Sequence, residues 1–178
     1  MNPERLEKMN ELLTDHAVAY AVNLHGLWED LKSDSPLQML LRAHLYVEAE
    51  MVALLEHGVK KPDLLRLDRM PFIRKVELAV ALGLLSEYWM PALRQLNKER
   101  NKLAHRLDHQ VTSETGLAIL RAMPNVPNEP DVTAVIGPAN AEFDDLKLAI
   151  MILIIGVAKE RKFAEIAGYL KPKPGFPN

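Results

Sequence analysis

Apolar side chains recur at three- and four-residue intervals through most of the 178-residue chain, which is the spacing of one face of an α-helix. Serine and proline at Ser35 and Pro36 mark the start of one long helix that ends near Gly58. Two-residue alternation, the pattern of a half-buried strand, is confined to residues 132–136. The sequence therefore predicts an all-α helical bundle that ends in a long C-terminal helix over 141–170.

Composition favours a single domain that lacks metal or disulfide chemistry. Hydrophobic residues make up 48% and charged residues 26%, and a chain of this length suits one core over 1–170, followed by a loose proline-rich tail over 171–178. The absence of cysteine excludes disulfides, zinc–thiolate sites and thiol catalysis, and it fits a cytoplasmic location. The longest apolar run, 148–158, is too short to span a membrane, so we expect a helix there that is buried in a core or in an oligomer interface. No cofactor and no metal site are predicted.

Further helices are predicted where prolines and glycines interrupt the apolar pattern. Pro71 opens a helix that stops near Gly83, Pro91 opens the next, and a shorter helix covers 114–123. Residues 6–31 carry helical spacing as well. On the long helix, five apolar residues in helical register are predicted to form the buried face: Leu37, Leu41, Leu45, Val52 and Leu55.

The helix that follows Pro91 carries a charge inside its apolar register. Its leucines, Leu93, Leu96, Leu103 and Leu107, define a buried stripe, and Arg100 occupies a position of that stripe. A guanidinium there requires a carboxylate or a phosphate partner, or a cleft at its level, because an unpaired buried charge costs several kcal/mol. A second row at four-residue spacing forms a polar edge: Asn97, Asn101, His105 and His109.

The segment Glu-Arg-Asn-Lys-Leu-Ala-His, from Glu99 to His105, resembles the Arg-x4-His motif of the HEPN superfamily, the higher eukaryote and prokaryote nucleotide-binding domains. In that family an arginine, usually followed by a polar residue, lies a few positions ahead of a histidine near the end of a core helix. Arg100, Asn101 and His105 match those three positions.

The resemblance extends to the segments that precede the motif. Residues 46–55 and 72–85 are similar to the two preceding helices of the family, so the HEPN-like core covers about 35–112, and the helix over 141–170 suits the family's bundle. More loosely, the arrangement resembles the mannitol operon repressor branch of HEPN-like proteins. That branch implies an alternative function, a non-catalytic dimeric regulatory or protein-interaction module.

The HEPN resemblance implies a metal-independent endoribonuclease or RNA-binding protein with Arg100 and His105 as the catalytic pair. An imidazole exchanges protons near neutral pH and a guanidinium grips phosphate oxygens in a fork, which suits attack of a ribose 2′-hydroxyl on the adjacent phosphate. Five residues of helix separate the two side chains by about 140° and about 7.5 Å, so one chain does not bring them together easily. Fraying of the helix end near Leu107 would be a second route to convergence, but family members pair two motif helices in a homodimer, which we expect here.

Four other residues are candidates for supporting roles. Asn101 would orient a phosphate or His105, and Glu48 would serve as counter-ion to Arg100. Lys102 and His109 would contact RNA. Three of the four also have a purely structural explanation: Glu48 as a surface residue at the helix edge, and Lys102 and His109 as exposed polar residues of a helix end. Arg100 and His105 could likewise be an ion-pairing arginine and a polar helix-end histidine, and His44 is interpreted as a core histidine rather than a ligand.

The net charge of −2 conceals an uneven distribution. Residues 60–106 hold 11 Lys+Arg against 5 Asp+Glu, whereas residues 1–59 hold 4 against 10. The basic segment contains the motif and favours a phosphate-rich partner, although a solvated helix face would have the same composition. The partners predicted from the sequence are therefore a second copy of the chain, RNA or a nucleotide, and a cognate antitoxin or regulatory protein, with no membrane.

Overall fold

The computed structural model describes residues 35–106, 108–123 and 144–166, with side chains described as far as residue 161. These residues form five α-helices: α1 (Pro36–Gly58), α2 (Phe72–Ala81), α3 (Met90–His105), α4 (Ser113–Arg121) and α5 (Asp144–Ile166). Short 3-10 turns at Pro62–Leu65 and Glu87–Trp89 precede α2 and α3. The described residues contain no strand, which confirms the predicted all-α class.

The boundaries of the helices follow from local chemistry. At the start of α1, the Ser35 hydroxyl accepts from the Gln38 backbone N–H at 3.4 Å. At the end of α2, Gly83 adopts a left-handed φ of 69°, a conformation that costs glycine little. This allows the Leu84 N–H to reach the Ala79 carbonyl at 2.9 Å, a Schellman arrangement. The predicted starts and stops of these helices are confirmed.

One hydrophobic core is shared by the described helices, and α5 contributes much of it. The apolar run 148–158 supplies eight buried residues, as expected for a core helix: Ala149, Ile150, Met151, Leu153, Ile154, Ile155, Val157 and Ala158. Gly156 lies against the Trp89 ring with no room for a side chain. The Trp89 indole N–H donates to Glu160 Oε1 at 3.1 Å, which satisfies its polar atom while the ring packs.

The buried face of α1 differs from the predicted one. Leu37, Leu41 and Leu45 are 44%, 37% and 63% exposed, so the prediction that they face the core is wrong. The core face is turned by about 130°, more than a third of the helix circumference, and carries Met39, Leu40, Ala43, Val47, Met51 and Leu54. The first half of α1 has apolar residues on both sides, and periodicity alone does not say which side packs inward. We call Leu37, Leu41 and Leu45 the exposed leucine stripe.

Helices α1 and α3 run antiparallel, and this orientation determines which part of α1 lies beside the motif. Gly58, at the end of α1, packs against Leu84, which precedes α3, while His44 in the first half of α1 contacts Asn97 in the middle of α3. The N-terminal part of α1 therefore lies beside the C-terminal part of α3. The exposed leucine stripe and the Arg-x4-His motif consequently occupy the same end of the bundle.

Several predictions fall outside the described residues. These are the helices over 6–31, the alternation at 132–136, the tail over 171–178 and Leu107 of the predicted stripe. The C-terminal helix is confirmed over 144–166 of its predicted 141–170. Among the helices described, none combines the length and the apolar character needed to cross a membrane.

Candidate functional site

An open cleft of about 610 Å³ lies along the outer side of α3, where that helix meets α2. Two side chains of α2, six of α3 and the residue that caps α3 line it: Ile73, Glu77, Arg94, Asn97, Lys98, Asn101, Lys102, His105 and Arg106. Its position is set by the amphipathic pattern of α3, because Leu93 and Leu96 turn inward and leave the polar side of the helix facing outward.

The cleft is basic. Four permanent cations line it against one carboxylate, that of Glu77. Glu77 accepts from Arg94 at 3.2 Å and from Arg74 at 2.8 Å, and the hydrogen bond from Arg74 holds the pKa of Glu77 below its ordinary value. Lys98 and Arg106 have no ion pair among the described residues. The surface therefore offers unneutralised positive charge to an anion.

Three members of the predicted polar row share this cleft. Asn97, Asn101 and His105 all line it, at successive turns of α3. His105 is the last residue of α3 and is exposed, and the Arg106 N–H caps the helix by donating to the Lys102 carbonyl at 2.9 Å. An exposed imidazole beside cationic side chains has access to a ligand bound in the cleft.

Arg100 lies on another side of α3, as the helical geometry predicts. It is half-buried and is not among the lining residues, whereas His105 is. Its Nη1 donates to Asn101 Oδ1 at 3.1 Å, so the guanidinium is linked to the cleft through Asn101. Among the described side chains no carboxylate forms an ion pair with Arg100. Within one chain the structure brings Arg100 to Asn101 but does not bring Arg100 and His105 into one pocket.

Glu48 does not pair with Arg100, in contrast to its predicted role. Its Oε1 accepts from Lys75 Nζ at 2.5 Å, and Lys75 is only 4% exposed. Lys75 projects from the core side of α2, where its buried ammonium needs a carboxylate more than the half-buried Arg100 does. The Glu48 carboxylate therefore joins α1 to α2 rather than to α3.

His44 is a buried histidine, in agreement with its interpretation as a core residue. Its ring stacks at a tilt on Phe72, with centroids 4.4 Å apart, and its Nε2 lies 3.3 Å from Asn97 Oδ1. Burial lowers the pKa of His44, the hydrogen bond with Asn97 and the charge of Glu48 oppose that shift, and the charges of Arg100 and Lys75 add to it. The surroundings of His44 therefore favour the neutral form of the imidazole.

Glu99, inside the motif segment, is a further site residue that the sequence did not single out. It is 3% exposed, and its carboxylate accepts from Gln95 at 3.0 Å, from Lys102 at 2.7 Å and from His109 at 3.2 Å. Two of the predicted RNA contacts thus bind Glu99, and His109 lies outside the cleft. The spacing Glu99–Lys102 was the available signal, but a carboxylate beside a lysine on a helix ordinarily indicates a surface pair.

Across the described residues there is no group of histidine, aspartate and glutamate side chains suited to hold a metal ion. No family model, curated protein or solved structure matches the chain. The relation to the HEPN superfamily therefore stays a prediction, which rests on the motif residues and their placement on α3.

Proposed function

We propose that this protein binds the phosphate backbone of single-stranded RNA in the cleft along α3 and cleaves it without a metal ion. The observation that carries the proposal is the coincidence of the motif with an open basic surface. His105 and Asn101 line the cleft, and Arg100 is bonded to Asn101 at its edge. Cationic side chains without carboxylate partners attract polyphosphates, and such attraction supplies most of the affinity of non-specific nucleic-acid binding.

The chemistry assigned to the motif uses only its own side chains. The ribose 2′-hydroxyl attacks the adjacent phosphorus, and the bond between that phosphorus and the 5′-oxygen of the next nucleotide breaks. The products are a 2′,3′-cyclic phosphate and a 5′-hydroxyl. His105 takes part in proton transfer between the attacking and leaving oxygens, and Arg100 stabilises the negative charge that develops on the non-bridging oxygens of the phosphorane. DNA is not a substrate because it lacks the 2′-hydroxyl.

The proposed active unit is a homodimer, because one copy of α3 separates Arg100 from His105. The exposed leucine stripe supports this assembly. Leu37, Leu41 and Leu45 follow one another at four-residue spacing, which places them on one edge of α1 at the motif end of the bundle. A second copy packed on this edge would bury apolar surface and bring a second α3 near the first.

The direct test is cleavage of single-stranded RNA by the purified protein in the presence of EDTA. Arg100→Ala and His105→Ala should each abolish cleavage, whereas Arg121→Ala, which removes an exposed arginine outside the cleft, should leave it unchanged. Cleavage that persists in both motif variants, or that requires a divalent metal, would refute the proposal.

Mixing the two inactive variants tests whether the site is shared between subunits. If Arg100 of one subunit acts with His105 of the other, each heterodimer carries one intact pair. Random exchange should then restore about a quarter of the wild-type activity. If each subunit uses its own pair, mixing restores nothing.

A second candidate is the non-catalytic dimeric module that the looser resemblance to the mannitol operon repressor branch implies, with a regulatory protein as partner. The observation in its favour is again the exposed leucine stripe, since large exposed apolar residues in a row are typical of protein contacts. This candidate predicts a dimer without nuclease activity, so the cleavage assay separates the two.

A further inference from the structure

Asn97 and Asn101 are both oriented by donors that lie outside the cleft. Arg100 has no acceptor atom, so its contact with Asn101 at 3.1 Å commits the carbonyl oxygen of that amide. The carbonyl oxygen of Asn97 lies 3.3 Å from His44 Nε2, and an oxygen can only accept, so the ring donates from Nε2. The Asn97 oxygen is therefore engaged by His44 of α1, and the Asn101 oxygen is engaged by Arg100.

The geometry of the two amides then determines which of their groups face the cleft. A carboxamide is planar and carries its oxygen and its NH2 group on opposite arms, each NH2 with two donor hydrogens. With both oxygens engaged, the NH2 groups are the arms left for the cleft that both residues line. They lie one turn apart on α3, about 6 Å along its axis. Lys98 and Arg106, which line the same cleft, add donors that carry positive charge.

We infer that Asn97 and Asn101 form an anion subsite in which their paired NH2 groups bind the non-bridging oxygens of a phosphate group. His44 is the positioning residue for Asn97, since its Nε2–H fixes which arm of the amide faces outward. A phosphate offers only acceptor atoms, and this surface offers donors, so the two are complementary. The statement that RNA supplies this phosphate rests on the proposed function. The existence of the phosphate subsite does not.

The test replaces each asparagine NH2 group, a hydrogen-bond donor, by an oxygen, which is an acceptor, and keeps the contacts with His44 and Arg100. Asn97→Asp and Asn101→Asp keep an oxygen for His44 and for Arg100, so both variants should fold, but each presents a carboxylate oxygen where the NH2 group was. Gln110→Glu makes the same change of charge at an exposed residue outside the lining and is the matched control.

Two probes distinguish the sources of the phosphate: inorganic phosphate, followed by NMR of the asparagine side-chain NH2 signals, and a short single-stranded oligoribonucleotide, followed by fluorescence anisotropy. In the wild-type protein both NH2 signals should shift with either probe. Each aspartate variant should weaken both affinities at least about tenfold, and Gln110→Glu should change them less than about twofold.

The role of His44 has its own readout. His44→Leu removes the donor and should reduce the phosphate-induced shift of the Asn97 signal, while His44→Gln supplies an N–H donor and should restore it. A purely structural role for His44 would make both variants equal in this measurement.

The inference is overturned if the aspartate variants bind phosphate as tightly as Gln110→Glu does, or if phosphate leaves the NH2 signals of the wild-type protein unmoved. RNA cleavage tests the nuclease proposal and not the phosphate subsite. If phosphate binding follows the expected pattern and no RNA is cut, the nuclease proposal fails and the subsite stands. If RNA is cut and the aspartate variants bind normally, the subsite fails and the nuclease proposal stands.

Discussion

Replacing Glu99 by glutamine should destabilise the protein by about 2 kcal/mol. The carboxylate is 3% exposed and accepts hydrogen bonds from Gln95, Lys102 and His109. Hydrogen bonds to a charged group contribute about 1.5–3 kcal/mol each, against about 0.5–1.5 kcal/mol for neutral ones. Glutamine keeps one oxygen for Gln95 and Lys102 but loses the charge and turns an NH2 group toward His109. Because the Lys102 side chain is 34% exposed, water compensates part of that loss, which keeps the cost below that of an isolated buried charge.

The assay is urea unfolding, with a matched glutamate-to-glutamine change as control. Glu114 also pairs with a basic residue, Arg121 at 2.8 Å, but its side chain is 67% exposed, so Glu114→Gln should cost about 0.5 kcal/mol or less. For a chain of this size, about 2 kcal/mol corresponds to a fall in Tm of about 4–8 °C. Equal stability of the two variants would refute the view that Glu99 stabilises the fold by joining α3 to the segment after it through hydrogen bonds.

Three further outcomes follow from single contacts. Gly116→Ala should lower the free energy of unfolding by about 1–3 kcal/mol, because its new methyl group would meet the α5 backbone at Leu146; thermal unfolding measures this, and an unchanged Tm would contradict it. The pKa of His44 in the folded state lies below its ordinary 6.5, so the folded state binds fewer protons and stability is lost as the pH falls below about 6.5. Urea midpoints at about pH 7.5 and 5.5 should therefore differ less in His44→Phe than in the wild type, and an equal difference would contradict the assignment. Leu41→Glu should shift the protein toward monomer in light scattering, since it places a charge in the exposed leucine stripe; an unchanged mass would remove that stripe from the dimer contact.

The helix boundaries could be predicted from the sequence because their signals are local. Ser35 caps α1 through its own hydroxyl, and Gly83 ends α2 because the left-handed conformation there strains other residues. The separation of Arg100 and His105 around α3 was predictable for the same reason, since it depends only on the rise and turn of one helix. None of these features depends on which neighbour the helix packs against.

The partners across helices could not be predicted, because they depend on how the helices are oriented in space. Apolar residues lie on two sides of α1, so the sequence pattern does not determine the core face and wrongly places the exposed leucine stripe there. Glu48 has Lys75 as its partner, 27 residues away in sequence, and no spacing rule connects two helices at that separation. Glu99 was not predicted because its contact with His109, ten residues away in sequence, depends on how the segment after α3 folds back toward the helix.

Arg100 gives a test in which stability and function should change in opposite directions. In the described residues its contact is the neutral oxygen of Asn101, and an amide dipole does not cancel a full charge, so its field still acts to lower the pKa of His44. A half-buried guanidinium without a carboxylate is unfavourable for the folded protein and favourable for a phosphate ligand. Arg100→Leu extends the leucine stripe of α3 and should stabilise the protein by about 0.5–1 kcal/mol while it abolishes RNA cleavage. An arginine that served only the fold would give the opposite sign, a lower urea midpoint in Arg100→Leu than in the wild type, and that result would refute the assignment of Arg100 to a phosphate ligand.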